Sequence, residues 1–310
     1  MRRRVVITGA TGFLGGHALR SIVNMGFEPH LLVRDVVAGQ AALSSAGASG
    51  EVHAVDVLDD AAVANAIHVL QPWGAAHFAW HDEPHSRWTS SENLKWTEAT
   101  LALARSLSAA GAQRLVVCGS CAEYDWSGEE LSELETSLSP STLYGASKAA
   151  AFLALDSAQA QLNLSIAWGR VFYSYGPGEP PGRLISDLIS KLSRGQPAEF
   201  TDGLQVRDYM HAADIGDAFG QLLASDLVGP LNVASGQGVE VRRLIETTAR
   251  LMGKRELVRL GALPRRPGDP ARLVGNAQRL HTELGFRPRF SLESGLADTL
   301  GASKQPSRQH

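Results

Sequence analysis

A doubly wound α/β fold, with helices covering both faces of a parallel sheet, is predicted by three features of the chain. Short, continuously apolar runs alternate with helix-like stretches through the first half, the pattern of strands buried on both faces. The first run, Val5-Val6-Ile7, passes directly into a glycine turn and a helix start. With 310 residues, 44% hydrophobic and 20% charged, the chain has an ordinary globular composition and the length for a large core.

Strands are expected over 4–8, 30–33, 51–55, 75–79, 114–118 and 165–169, each a short apolar run. Helices are expected between them over 13–25, 61–70, 92–110 and 143–162. Strands joined this way make a parallel sheet, assigned here to residues 1–171. After Gly169 the segment Tyr175-Gly-Pro-Gly-Glu-Pro-Pro-Gly-Arg183 is dense in turn formers and marks a boundary or a loop over a site. Helices at 183–194 and 214–224, short strands and Pro/Gly loops around 264–270 follow. Residues 172–302 therefore read as a smaller substrate-binding portion, partly interleaved with the first, and 303–310 as a disordered polar tail.

Composition excludes several classes of partner. A net charge of −3 lacks the basic excess that phosphate-backbone binding needs, so no nucleic acid is expected. No apolar run approaches a membrane span, so no membrane is expected. Met1-Arg-Arg-Arg4 has no long apolar region behind it and does not read as a signal peptide. The only cysteines are Cys118 and Cys121, which fits a reducing, cytoplasmic location rather than a disulfide scaffold.

Gly9-Ala10-Thr11-Gly12-Phe13-Leu14-Gly15 lies between the first strand and the first helix. Glycines there let the backbone turn sharply and approach a pyrophosphate lying on the positive helix N-terminus. A glycine trio alone also ends strands and packs helices; its place in a βαβ unit points to a Rossmann-type dinucleotide site. At the end of the second strand stand Arg34 and Asp35. An arginine there accommodates the extra phosphate of NADP and an acid accepts from the ribose of NAD, so Arg34 favours NADP while Asp35 keeps NAD open. Asp56, followed by Val57, ends the third strand, either facing the adenine amino group or capping a helix.

Ser139-Pro140 reads as an N-cap and first helical residue, which places Tyr144 and Lys148 one turn apart on one helix face. A free phenol is a poor proton acceptor at neutral pH, and stabilising its phenolate there takes roughly 4 kcal/mol, which an adjacent ammonium supplies. The alternative is a half-buried tyrosine covered by a lysine. Position favours chemistry, because Leu115-Val-Val-Cys-Gly-Ser120 delivers a hydroxyl from the preceding strand's carboxyl end, where ligands of open α/β sheets bind.

With these residues the chain resembles the extended short-chain dehydrogenase/reductases of the NAD-dependent epimerase/dehydratase family. The resemblance covers about residues 4–300 and is carried by the glycine turn, His77-Phe78-Ala79, Asn93, Ser120 and Tyr144-Gly-Ala-Ser-Lys148. Further along it is carried by Arg170 with Tyr175-Gly-Pro-Gly178, Gln205-Val-Arg-Asp-Tyr209 with His211 and Asp214, and Arg266-Pro-Gly-Asp269. It implies that Ser120 and Tyr144 bond the reacting oxygen and that Lys148 also holds the nicotinamide ribose. It further implies cofactor contacts from Phe78, Ala79, Trp80 and Asn93, and substrate contacts from Trp80, Cys121, Ala122, Tyr173, Arg183, Arg207 and Arg266. Guanidinium forks suit a diphosphate; the alternative for Arg207-Asp208 is a surface ion pair. Tyr173 stands where many relatives carry asparagine.

Cys121 and Ala122 replace the acid pair of dehydratases, so a ketoreductase of a nucleotide-linked 4-keto-6-deoxy sugar is expected. A nucleotide-sugar 4-epimerase with bound NAD is the first alternative, a reductase of another ketone the next, and a non-catalytic NADP-binding scaffold the last. In the resembled family the helices at 92–110 and 143–162 pair across a twofold axis, which implies a homodimer. Cys118-Gly-Ser-Cys121 matches a redox spacing, but its serine already has a role and Cys118 is expected to point into the sheet. His81-Asp-Glu-Pro-His85 does not complete a ligand set, so no metal is expected. Trp80, Trp88 and Trp126 fall in loops that could shape a sugar pocket.

Overall fold

The computed structural model describes residues 2–83 and 86–303. It begins with β1 (Arg4–Thr8), α1 (Phe13–Asn24), β2 (Glu28–Val33), α2 (Val36–Ser45) and β3 (Glu51–Ala54). The alternation continues with α3 (Asp60–Leu70), β4 (Gly74–His77), α4 (Glu92–Ala109), β5 (Arg114–Ser120), α5 (Leu143–Leu162) and β6 (Ser165–Val171). Next come β7 (Tyr173–Tyr175), α6 (Leu184–Ser193), β8 (Ala198–Glu199), β9 (Val206–His211), α7 (Ala212–Ala224) and β10 (Gly229–Val233). The chain closes with β11 (Gly238–Glu240), α8 (Val241–Leu251), β12 (Val258–Arg259), β13 (Arg272–Leu273), α9 (Gln278–Thr282) and α10 (Leu292–Ser303).

Seven parallel strands form the large sheet, in the order β10-β6-β5-β4-β1-β2-β3. Alternate residues of one strand serve opposite faces. Val5, Ile7 and Leu31 pack with Leu19, Ile22 and Phe219 of α1 and α7. Val6 and Leu32 pack with Val63, Ile67, Leu103 and Leu155 of α3, α4 and α5. Each of these buried apolar side chains contributes about 1.5–3 kcal/mol relative to exposure. The winding reverses between β1 and β4, so their carboxyl ends open a crevice. A second sheet, β11-β9-β13 with β7 also paired to β9, stands beyond β6 in the chain. No helix among the described residues is long and apolar enough to cross a membrane.

The predicted doubly wound sheet is present, with differences of physical origin. The seventh strand, β10, goes beyond the six expected because Gly229-Pro230 reads as a turn. Proline is tolerated there because β10 is a sheet edge. Helix α2 is likewise additional: Val-Val-Ala-Gly-Gln-Ala-Ala-Leu-Ser-Ser has no clear polar face to announce it. α5 is capped by Thr142, whose hydroxyl accepts from Gly145 N at 3.1 Å, rather than by Ser139-Pro140. α10 runs through Ser303, and the rest of the predicted tail, from 304, lies outside the described residues.

Candidate active site

The crevice at the strand ends deepens into a cavity of about 640 Å³, the size of a small-molecule site. Its floor is the glycine turn. Gly9 adopts φ +70°, and a Cβ there would lie 2.5 Å from Ala79 N. A Cβ on Gly15 would lie 2.0 Å from the Gly9 carbonyl oxygen. The turn thus closes only with glycine, and it leaves Gly12 as a helix N-cap with no side-chain bond to the first-turn N–H groups. Gly9, Thr11, Gly12, Phe13, Leu14 and Gly15 all line the cavity. This backbone cradle with an open helix N-terminus fits the pyrophosphate of a dinucleotide.

Arg34, Asp56, Val57, Phe78, Ala79 and Trp80 extend the lining. Asp35 is also at the wall, but its Oδ1 accepts from Val37 N at 2.9 Å and Ala38 N at 3.1 Å, capping α2. Asp56 accepts from Leu58 N at 3.0 Å, while Asp59 caps α3, so the helix-cap alternative for Asp56 falls away.

Ser120 ends β5 and caps a short 3-10 turn, Cys121–Glu123, its Oγ accepting from Ala122 N at 3.2 Å. Glu123, fully buried, accepts from Ser120 N at 2.7 Å, Trp168 Nε1 at 2.9 Å and Arg170 Nε at 2.7 Å. Arg170 also donates to the Tyr124 hydroxyl at 3.0 Å, and that hydroxyl donates to Asn232 at 2.7 Å. Breaking one side of such a buried pair typically costs about 3–5 kcal/mol. The acid three residues after the candidate hydroxyl is therefore occupied in holding Ser120.

Tyr144 projects from the first turn of α5 into the cavity, its ring edge-to-face with Trp88 at 5.4 Å and Trp80 at 6.4 Å. Lys148, one turn on and 3% exposed, donates to the Cys118 carbonyl at 2.6 Å and lies 3.9 Å from the Trp80 ring centre. Burial lowers the lysine to about 8. Burial likewise raises Tyr144 well above the ordinary phenol range, Cys118 adds to the rise, and the Ser120 hydroxyl opposes it. Both shifts run against the ammonium-stabilised phenolate expected of this pair. The ammonium is directed to a carbonyl and an indole face, and the phenol keeps its proton.

Cys121, Tyr173 and Arg183 line the cavity as expected, with Arg183 paired to Asp82 at 3.2 Å. Four expected residues do not. Asn93 lies behind the wall, accepting from Trp80 Nε1 at 2.8 Å and donating to the Arg87 and Ser90 carbonyls. Ala122 is buried in the turn. Arg207 is buried rather than part of a surface pair, bonded to Asp269 at 2.6 Å and placed over the Tyr173 ring. Its neighbour Asp208 instead accepts from Ser235, Gly236 and Gly275 N–H groups. Arg266 is solvent-exposed.

Cys118 packs against the core on one face of the sheet, as expected, and also lines the cavity; both thiols are free. Burial pushes them up to about 11 and about 12, away from the thiolate that redox exchange requires. Pro84 and His85 of the rejected metal pattern lie outside the described residues. Unforeseen at the cavity wall are Asp82, Arg87 and Glu179, the last of which burial raises to about 7. The Gly-Pro-Gly-Glu turn is the one signal for Glu179. Trp88 and Trp126 do reach the cavity, joined by Trp96.

The profile of the NAD dependent epimerase/dehydratase family matches residues 5–234. A UDP-glucose 4-epimerase of Azospirillum brasilense is 26% identical, over 94% of this chain and 89% of that protein. A dTDP-4-dehydro-6-deoxy-D-allose reductase of a Streptomyces species is 27% identical, over 96% and 95%. The crystal structure of a Thermus thermophilus UDP-glucose 4-epimerase in complex with NAD is similar with a TM-score of 0.83 at 25% identity, covering 98% of this chain and 99% of that one.

Proposed function

The chain belongs to the NAD dependent epimerase/dehydratase family, and from that premise we propose that it uses NADPH to reduce the keto group of a nucleotide-linked 4-keto-6-deoxy sugar. The end of β2 carries this reading. Arg34 lines the cavity at the end of β2, which supports a contact to a 2′-phosphate, while one Asp35 oxygen, Oδ1, is tied to two backbone N–H groups. The similar Streptomyces protein is itself a reductase of a dTDP-linked dehydro-deoxy sugar. Cys121 and Ala122 offer no acid pair for elimination, and Glu123 is engaged in its buried network.

When bound, the nicotinamide supplies the hydride. Tyr144, kept protonated by burial, gives its proton to the carbonyl oxygen as negative charge develops there. Ser120, fixed by the Glu123–Arg170 pair, donates a second hydrogen bond to that oxygen. Lys148 holds positive charge in the same wall and is positioned to bond the ribose. Trp80, Trp88, Trp126 and Tyr173 present apolar surface to a sugar, and Arg183 adds a guanidinium to the diphosphate end.

The reading is tested by mixing the protein with NADPH and a dTDP-linked 4-keto-6-deoxy sugar. Loss of reduced nicotinamide in step with product is the expected outcome. The similarity to a UDP-glucose 4-epimerase favours a second reading, in which bound NAD takes and returns the hydride. Interconversion of 4-epimers without net cofactor consumption would establish that one instead.

Arg34→Ala should weaken NADPH binding by about ten- to a hundredfold, the worth of one charge-assisted bond to phosphate, and leave NADH nearly unchanged. Fluorescence titration reads both affinities; equal losses would remove Arg34 from the phosphate. The proposed homodimer would use α4 and α5, which leave Leu94 and Leu153 about half exposed. Light scattering at micromolar concentration should give twice the chain mass, and an active monomer would refute it.

A further inference from the structure

We propose that His30, Glu51 and His53 form a binding site for a divalent ion of the zinc type on the outer part of the large sheet, apart from the cavity. β2 and the edge strand β3 run parallel, with His30 opposite Glu51 and Leu32 opposite His53. Residues two apart on a strand share a face, so this register gathers the three side chains. Their ligand atoms all lie within 4.8 Å of one another.

The distances suit a metal. His30 Nδ1 and His53 Nε2 are 3.2 Å apart, and Glu51 Oε2 is 3.7 Å from each of them. Tetrahedral ligation with metal–nitrogen bonds of about 2.0–2.1 Å sets two nitrogens about 3.3 Å apart. The imidazole pair therefore already has the bite of a tetrahedral ion, and the carboxylate needs only a small inward rotation. The plain alternative is one hydrogen bond between two neutral rings, with Glu51 as a bystander.

A second observation points to a ligand. His30 is 3% exposed and its Nε2 has no hydrogen-bond partner, while Glu28 Oε1 stands 3.6 Å away. A metal on Nδ1 leaves the proton on Nε2, facing that carboxylate, which is the outer-shell arrangement that fixes metal-bound histidines. Two carboxylates, Glu28 and Glu51, then balance the dication beside the nearby Arg4. Two imidazoles and one carboxylate suit zinc, nickel or copper rather than calcium or magnesium. Glu51 is 65% exposed, so the fourth position opens to solvent and takes water.

The untagged full-length protein, stripped with chelator and dialysed, is titrated with Zn²⁺ alone by calorimetry and by thermal melting. Wild type should bind one ion per chain and melt at higher temperature with zinc than without it. His53→Ala should abolish both effects while keeping the metal-free melting temperature, because His53 lies at the sheet edge. Glu28→Gln should weaken zinc binding about ten- to a hundredfold. Should His53→Ala not fold, Glu51→Gln, on an exposed side chain, decides by the same titration. Zinc binding by these variants equal to that of wild type, or none by wild type, overturns the site.

Discussion

Replacing Tyr144 with phenylalanine should lower turnover by about 10²–10⁴-fold, the usual worth of a positioned general acid. The change removes one oxygen and leaves the ring between Trp80 and Trp88. The Tyr144 backbone N–H still donates to the Trp88 carbonyl at 3.2 Å, so the start of α5 keeps its place. NADPH affinity, measured by fluorescence titration, should therefore stay near wild type while kcat collapses. Ser120→Ala should be milder, since one hydrogen bond to the oxygen is lost and the proton source remains. If Tyr144→Phe keeps most of its turnover on a keto-sugar substrate, Tyr144 is structural and the proposed reductase mechanism loses its proton donor.

Lys148→Met should be at least as damaging, because it removes both a buried positive charge and the proposed bond to the ribose. Wild-type activity should carry the same signature in its pH dependence. Burial lowers Lys148 from 10.5 to about 8, so kcat should fall as pH rises through about 8 and the ammonium loses its proton. Stability should respond in the opposite sense. Between about 8 and 10.5 the unfolded chain holds this proton and the folded chain does not, so this group makes stability rise with pH across that window. A kcat profile and thermal melts over the same pH range separate titration from unfolding. A kcat that holds flat across the window would show that the charge on Lys148 does not matter to the chemistry.

What was legible in the sequence was local. The glycine turn is a contiguous signal, and Gly9 and Gly15 can be read because no other residue fits the backbone contacts they make. Tyr144 and Lys148 are four apart on one helix, so their proximity follows from helical geometry alone. The unread parts depend on contacts between distant segments. Arg207 finds its partner at Asp269, and Glu123 finds Arg170 and Trp168. Nothing in the spacing of those residues announces burial. The direction of the Lys148 ammonium was illegible for the same reason: it depends on a carbonyl of β5 and an indole from the loop after β4. Asp35 shows the reverse case, a local cap hidden because the helix it starts has no readable face.

The position of β10 in the large sheet bears on how the molecule is made. β6 pairs on its outer side only with β10, which is separated from it in the chain by β7, α6, β8, β9 and α7. During synthesis the outer edge of β6 stays unpaired until residue 233 has left the ribosome. That edge carries Ser-Ile-Ala-Trp-Gly-Arg-Val, a bare apolar template for another chain. A truncation ending near residue 171 would retain the glycine turn, Tyr144 and Lys148 and still present that open edge to its neighbours, so it should be recovered as aggregate rather than as a working half.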